Sequence, residues 1–320
     1  WVGKVAQGRI GDIRRCIRCE YCRDGIDLGI PARCTVNPAL GREGDLAELR
    51  PARATKRVMV VGGGPAGMEA ARTAALRGHR VSLYEKGGAL GDGQLRLAAA
   101  PPQKEKVGWL RDYLAEQVKK AGVEVHLNTE VDAQRVEREA PEVLVVATGA
   151  RPLIPSIPGM KRKQVVTAHD VLGGNVKVEG KRVAVLGGRR TGCETAEFLA
   201  QRGCSVTVVA RSDASGLAQG ATLLHRGPLL ARLAQLKVEF ITEHDVKEIQ
   251  PGGIVLVDRA GKERFLEVDA VVLSRGVTPA RELADQLQGK VPELYLIGDS
   301  YEPRDIAHAI LEGAVTGQRI

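Results

Sequence analysis

The sequence predicts an α/β protein with two Rossmann-like three-layer domains, the second inserted in the first, preceded by a short cysteine-rich iron–sulfur segment. Three observations carry this expectation. An apolar run, Val58-Met59-Val60-Val61, opens into Gly62-Gly63-Gly64-Pro65-Ala66-Gly67 and a helical stretch. The same strand, turn, helix and strand recur from Lys181. Ahead of both stand Cys16, Cys19, Cys22 and Cys34, spaced C-x2-C-x2-C-x11-C. Strand-to-glycine-turn-to-helix order marks a dinucleotide-binding unit, and repeating it marks two.

Residues 1–13 carry a weak helical pattern and lead directly into the cysteines. Four thiolates at this spacing can converge on one soft metal centre, because three come from a tight loop and the fourth from a short return. The reading is a [4Fe–4S] cluster. Structural zinc also takes four cysteines, usually as two separated knuckles. Disulfides suit a small secreted domain better than a chain of 320 residues with 43% hydrophobic content. A cluster segment this short cannot hold a core of its own and must pack on a neighbour.

The first nucleotide unit follows a charged linker. Gly62 permits the tight turn, Gly64 lets backbone approach a pyrophosphate, and Gly67 lets helix and strand close up. The helix over residues 68–77 then aims its N-terminus at the phosphates. The next strand ends in Glu85, placed to accept hydrogen bonds from an adenosine ribose. A glycine-rich stretch, two helices and a strand at 123–127 lead to Val143-Leu144-Val145-Val146, which ends in Ala147-Thr148-Gly149, small residues beside which a ligand can lie. Pro152, Pro155 and Pro158 mark a connection between domains.

In the second unit, a strand over 182–186 enters Gly187-Gly188-Arg189-Arg190-Thr191-Gly192, followed by a helix over 193–202 and a strand over 205–209. Arg189 holds the place of the middle glycine, and Ala210 and Arg211 that of the acid. A side chain at Arg189 obstructs a pyrophosphate unless its guanidinium binds the phosphate, whereas Arg211 favours a 2′-phosphate and hence NADP. A NADPH site with altered loop chemistry and a domain that has lost its nucleotide both remain open. After a β-rich stretch over 238–273, a strand runs into Gly298-Asp299; an aspartate there can bind flavin ribityl hydroxyls or simply cap a helix. The domains are expected at residues 1–54, 55–155 with 275–320, and 156–274.

Composition narrows the function classes. Lys and Arg number 47 against 39 Asp and Glu, but the basic residues are scattered and aromatics are 3%. Without a basic stripe or stacking platforms, nucleic-acid binding is not expected. No apolar run of membrane-spanning length and no signal peptide are present, so a reducing cytoplasm is the expected home. Cys193 and Cys204 read as small buried residues. The histidines are isolated, and no catalytic triad or carboxylate pair stands out, so no catalytic residue is assigned.

Together these residues resemble the C-terminal half of the iron–sulfur flavoproteins built on an old-yellow-enzyme-like barrel, the family of 2,4-dienoyl-CoA reductase, 2-enoate reductase and trimethylamine dehydrogenase. The resemblance runs through the cysteine quartet, Asn37-Pro38, Gly41-Arg42-Glu43, the Gly62–Gly67 turn, Gly93-Gln94-Leu95, Ala147-Thr148-Gly149 and the YLIGDSYEPR stretch at 295–304. It implies metal ligation by Cys16, Cys19, Cys22 and Cys34. It implies FAD, or ADP as the alternative, bound by Gly62, Gly64, Pro65, Ala66, Gly67, Glu85, Lys86, Gln94, Leu95, Ala147, Thr148, Gly149, Gly298, Asp299 and Ile306. Gly187, Arg189 and Arg211 would meet NADPH or NADH. In the reductases electrons pass from NAD(P)H through FAD and the cluster to an FMN in a TIM barrel. In the amine dehydrogenases they leave the barrel flavin for an electron-transfer flavoprotein. The barrel is missing from this chain and is expected as a further domain or subunit, in an oligomer.

Overall fold

A computed structural model describes all 320 residues, Trp1–Ile320. The chain forms two compact units, one comprising Trp1–Ala99, Lys106–Arg151 and Thr278–Ile320 and the other Ala100–Glu105 and Pro152–Val277. The second is thus inserted in the first, and both carry parallel sheets.

The first unit opens with three short helices, α1 (Val2–Ala6), α2 (Tyr21–Asp27) and α3 (Glu43–Leu46). Its sheet is built from β1 (Arg57–Val61), β2 (Arg80–Tyr84), β3 (Glu124–His126), β4 (Val143–Val146) and, after the insertion, β15 (Glu293–Leu296). The order is β15-β4-β1-β2-β3, all parallel. Parallel strands need crossovers that cover both faces, so β1 is apolar almost throughout. Its alternate residues divide between two cores. Val58 and Val60 pack with α4 (Pro65–Leu76), α6 (Val107–Lys120) and α12 (Ile306–Arg319). Met59 and Val61 pack with α7 (Ala133–Glu139) and α11 (Glu282–Leu287). A further helix, α5 (Gln94–Ala99), follows β2.

The chain leaves this unit through β5 (Ala150–Pro152) and returns through β14 (Val277–Pro279). The inserted unit runs through β6 (Val165–Thr167), α8 (Ala168–Leu172), β7 (Arg182–Leu186), α9 (Arg190–Ala200), β8 (Ser205–Val209), α10 (Leu223–Gln235) and β9 (Glu239–Ile241). It ends with β10 (His244–Gln250), β11 (Gly253–Asp258), β12 (Glu263–Glu267) and β13 (Ala270–Leu273). Its parallel sheet has the order β6-β13-β7-β8-β9. Val183 and Val185 pack with α8, α9 and α10. Ala184 and Leu186 instead meet Val246, Ile249, Ile254 and Leu256 of the antiparallel β10-β11-β12 sheet. The β-rich stretch therefore supplies the third layer. No helix is long and apolar enough to cross a membrane.

Both glycine-turn helices begin three residues earlier than the sequence pattern suggests, at Pro65 and Arg190. The end of each motif is itself the first helical turn. Pro65 suits that position because its missing N–H is one the helix could not have satisfied.

The cysteine segment leans on the first unit's core through buried Ile17 and Val36, with Cys19 and Cys34 packed alongside. A polar contact accompanies this apolar one. Glu69 of α4, 1% exposed, accepts from Arg14 at 3.2 Å and from Arg72 at 2.8 Å. Burial pushes the Glu69 carboxyl upward, but the two guanidiniums outweigh it and hold the group below the usual carboxylate range.

A Cβ at Gly67 would stand 1.9 Å from the Gly62 carbonyl oxygen, whereas one at Gly64 meets nothing within 4 Å. Gly67→Ala should therefore lose roughly 1–3 kcal/mol or more in urea unfolding, and Gly64→Ala about 1 kcal/mol at most. Because its folded pKa is depressed, Glu69 contributes stability in full above its unfolded value of about 4.3, and that contribution is lost as pH falls through the folded value. Glu69→Gln should cost about 3–5 kcal/mol at pH 7 and flatten the acid limb of a stability–pH profile.

Candidate functional site

At the first glycine turn the backbone is shaped by contacts that only glycine permits. Gly62 adopts φ +111°, and a Cβ there would lie 2.2 Å from the Ala147 carbonyl oxygen. Its N–H donates to Tyr84 O at 2.8 Å, and the Ala147 N–H donates to Val61 O at 2.8 Å, so the ends of β2 and β4 grip the turn. Gly64 is the N-cap of α4, extended at φ −75° and ψ −177°, and no side chain caps it. The open space at its Cβ position lies against uncapped helix N–H groups, the arrangement that accepts a pyrophosphate.

Glu85 braces this turn. Its Oε2 accepts the Gly63 N–H and its Oε1 the Gly87 N–H, each at 2.7 Å. Each oxygen keeps a second lone pair for a ribose hydroxyl. Lys86 follows, exposed.

Distant residues converge beside the turn. Gln94, the first residue of α5, donates from Nε2 to Asp299 Oδ2 at 3.0 Å, while the Arg304 N–H reaches Asp299 Oδ1 at 3.1 Å. Gly149 adopts φ +74°, and a Cβ there would come 3.9 Å from Gln94 Nε2. Gly298 packs on Ala66, where a Cβ would fall 2.9 Å from the alanine Cβ, so the Gly-Asp loop meets the start of α4. Thr148 donates its hydroxyl to Ala280 O at 2.5 Å. Leu95 is 2% exposed in the first core. Ile306 packs partly against the same core at the start of α12, whose N-cap Asp305 accepts the His308 N–H at 2.9 Å. The carbonyl ends of β1, β4 and β15 thus gather glycine backbone, one carboxamide and two carboxylates, which fits the diphosphate, ribose and ribityl parts of a flavin dinucleotide.

The inserted unit repeats the turn. Gly187 adopts φ +124° and faces Ser274 O, where a Cβ would come to 2.2 Å, and one at Gly192 would stand 1.8 Å from Gly187 O. Arg189 has φ −74° and ψ −178°, matching Gly64 within a degree or so, so its side chain is accepted without backbone strain and lies exposed. The loop after β8 folds over the start of α9. The Arg190 N–H donates to Gln219 O and its guanidinium to Gly220 O, both at 3.0 Å. Ala210 takes the place of Glu85, since a Cβ at Gly188 would meet Ala210 Cβ at 2.8 Å. Arg211 is exposed; burial pushes the Asp245 carboxyl up most, but Arg275, the Val246 N–H and Arg211 together hold it below its ordinary range.

All six cysteines are free thiols, with Cys16 and Cys22 exposed and Cys19 and Cys34 half-buried. The Arg18 N–H donates to Cys16 Sγ at 3.3 Å, and Cys19 Sγ lies 3.2 Å from Thr35 Oγ1. Arg18 and Glu20 adopt φ +55° and +59°, turning the loop between successive cysteines. No three His, Cys, Asp or Glu side chains are drawn into one ligand set. As a donor set, four sulfurs within one loop and its return suit a soft metal. Cys193 is fully buried, its thiol pushed up to about 11 by burial, and donates to Gly188 O at 3.2 Å; it is a packing residue.

Sequence reasoning missed three parts of this arrangement: Arg14, Glu69 and Glu312. Glu312 accepts the Gly298 N–H at 2.6 Å and pairs with Arg304. Glu69 and Arg72 at helical i, i+3 spacing are the one local signal, and nothing in the sequence marks their burial.

The profile of the pyridine nucleotide-disulphide oxidoreductases matches residues 56–313. The chain is 40% identical to the NADH oxidase of Thermoanaerobacter brockii over 98% of its own length and 48% of that protein's. It is 35% identical to the metal reductase of Desulforamulus reducens, covering 96% of this chain and 50% of the relative. Among solved structures, 2-naphthoyl-CoA reductase in complex with 2-naphthoyl-CoA superposes with TM-score 0.93 at 34% identity, over 99% of this chain and 48% of that one. Histamine dehydrogenase from Rhizobium sp. 4-9 gives 0.89 at 27%, over 100% and 50%. The chain therefore spans about half the length of the relatives it matches. The thioredoxin reductase of Lactococcus lactis, at 22% identity and TM-score 0.66, shares the fold. With its profile match, its two Rossmann-like units and its likeness to reductases and dehydrogenases, the chain belongs to the pyridine nucleotide-disulphide oxidoreductase family, whose fold binds FAD and NAD(P)H.

Proposed function

We propose that this chain is the electron-transfer module of an iron–sulfur flavoprotein oxidoreductase, oxidising NAD(P)H through FAD and a [4Fe–4S] cluster and delivering electrons to an FMN-containing TIM-barrel domain or subunit. The observation that carries the reading is that the cysteine segment packs, through Ile17, Val36 and Arg14, on the unit whose helix α4 starts at the first glycine turn. When bound, a flavin next to an iron–sulfur centre converts a two-electron donor into one-electron steps. The chain's own residues supply the setting. Gly62, Gly64, Pro65, Ala66 and Gly67 hold backbone against the diphosphate. Glu85 and Lys86 serve the adenosine end, and Gln94, Leu95, Ala147, Thr148, Gly149, Gly298, Asp299 and Ile306 the flavin end. Cys16, Cys19, Cys22 and Cys34 ligate the cluster. Gly187 lets backbone approach the nicotinamide nucleotide, Arg189 contributes a cation to its diphosphate, and Arg211 favours NADPH. In this reading the domains divide as residues 1–54, 55–155 with 275–320, and 156–274, and thiolate ligands are in keeping with a reducing cytoplasm.

A second reading is favoured by one observation, the loop whose Gln219 and Gly220 carbonyls occupy Arg190 at the start of α9. If that loop closes the site, the module carries electrons outward from the barrel flavin to an electron-transfer flavoprotein, holding FAD or ADP and using no nicotinamide.

Anaerobic mixing separates the two. Rapid bleaching of flavin absorption by NADPH or NADH is expected, faster with NADPH if Arg211 meets a 2′-phosphate. A sample that contains flavin and iron yet stays oxidised with both donors contradicts the inward direction.

A further inference from the structure

Arg14 stands two residues before Cys16 and reaches in two directions. Its Nη1 donates to the Val36 carbonyl oxygen at 2.5 Å, two residues after Cys34. Its Nη2 donates to Glu69 Oε1 at 3.2 Å and Oε2 at 3.4 Å. The guanidinium also lies over the Tyr113 ring of α6, 5.1 Å from its centroid. One side chain therefore joins the two ends of the cysteine loop to each other and both to α4. The partners are set deep, with the Glu69 side chain 1% exposed, Arg14 16% and Arg72 14%. Two guanidiniums against one carboxylate leave the triad with a net positive charge in a poorly solvated place, where charge is weakly screened. The α4 helix that bears Glu69 is itself fixed: a Cβ at Gly313 of α12 would stand 2.4 Å from Ala66 O and 3.1 Å from Glu69 Cβ.

We infer that Arg14 is a positioning residue for electron transfer, clamping both ends of the cysteine loop onto the helix that begins at the first glycine turn and holding positive charge against the carbonyl two residues past Cys34. This rests on the cluster reading proposed above. Positive charge favours the more negative, reduced form of an iron–sulfur centre and so raises its potential. A lysine keeps the charge but not the planar fork that serves Val36 and Glu69 together.

The full chain carrying Arg14→Gln or Arg14→Lys tests both roles. Amide hydrogen exchange over residues 14–36 in iron-free protein reads the clamp, and a redox titration of the iron signal in loaded protein reads the charge. Arg14→Gln should speed exchange roughly tenfold or more, as expected for losing charge-assisted hydrogen bonds, and should lower the potential. Arg14→Lys should speed exchange similarly while keeping the potential near that of the unaltered protein, and it carries the test if Arg14→Gln does not fold. Wild-type exchange in Arg14→Lys overturns the clamp, and a wild-type potential in Arg14→Gln overturns the charge role. Failure of the unaltered protein to take up iron would instead contradict the cluster reading, and the exchange measurement would still decide the clamp.

Discussion

The carboxylate of Glu69, enclosed in α4 and shared between Arg14 and Arg72, is the contact on which the first unit's arrangement depends. A buried charge is tolerated only when it is paired and hydrogen-bonded, so this glutamate leaves its neighbours little choice of position. Arg14 must come to it, and Arg14 brings the cysteine loop. Ile17 and Val36 add apolar area at the same place. A segment with three short helices and no strand thereby acquires a fixed seat on a much larger core. The same helix presents its N-terminus at Gly64, so one rigid rod links the thiol loop to the dinucleotide turn.

The two glycine turns show how one backbone can serve different chemistry. Gly62 and Gly187 share a left-handed conformation and a carbonyl wall, and Gly67 and Gly192 sit against the carbonyls of those same glycines. These positions are fixed by packing. The third position is not, because Gly64 and Arg189 have the same extended backbone and only their side chains differ. Chemistry can vary there without disturbing the fold. In the first unit Gly64 leaves the position open and Glu85 braces the turn; in the second Arg189 carries an exposed side chain from it, and Ala210 has no carboxylate to offer. Arg190 carries the other departure, since its N–H and guanidinium engage the loop after β8.

Much of this is legible in the sequence, for identifiable reasons. Val58 to Val61 read as a buried strand because sheets covered on both faces need apolar residues at every position. The repeat is visible because packing constrains the same glycines twice. The insertion is legible from the returning Gly-Asp, whose Asp299 meets Gln94 across 205 residues of chain. The antiparallel sheet is seen only as β-rich sequence, because alternation does not say which layer a strand joins. Helix starts are misjudged by three residues because Pro65-Ala66-Gly67 and Arg190-Thr191-Gly192 read as the ends of glycine turns while forming the first helical turns. Arg14 and Glu69 are invisible as a pair: they lie 55 residues apart, and in sequence both are ordinary charged residues. Sequence marks Glu85 as an expected ribose ligand and gives no sign that its carboxylate braces Gly63 and Gly87.

In the proposed function, one unit seats both a sulfur-bound iron centre and an adenine dinucleotide. Protein purified without oxygen, assayed for iron and acid-labile sulfide and extracted for bound nucleotide, tests that directly. About four iron and four sulfide per chain are expected, together with FAD, or ADP in its place. A sample containing neither iron nor any adenine nucleotide would contradict it.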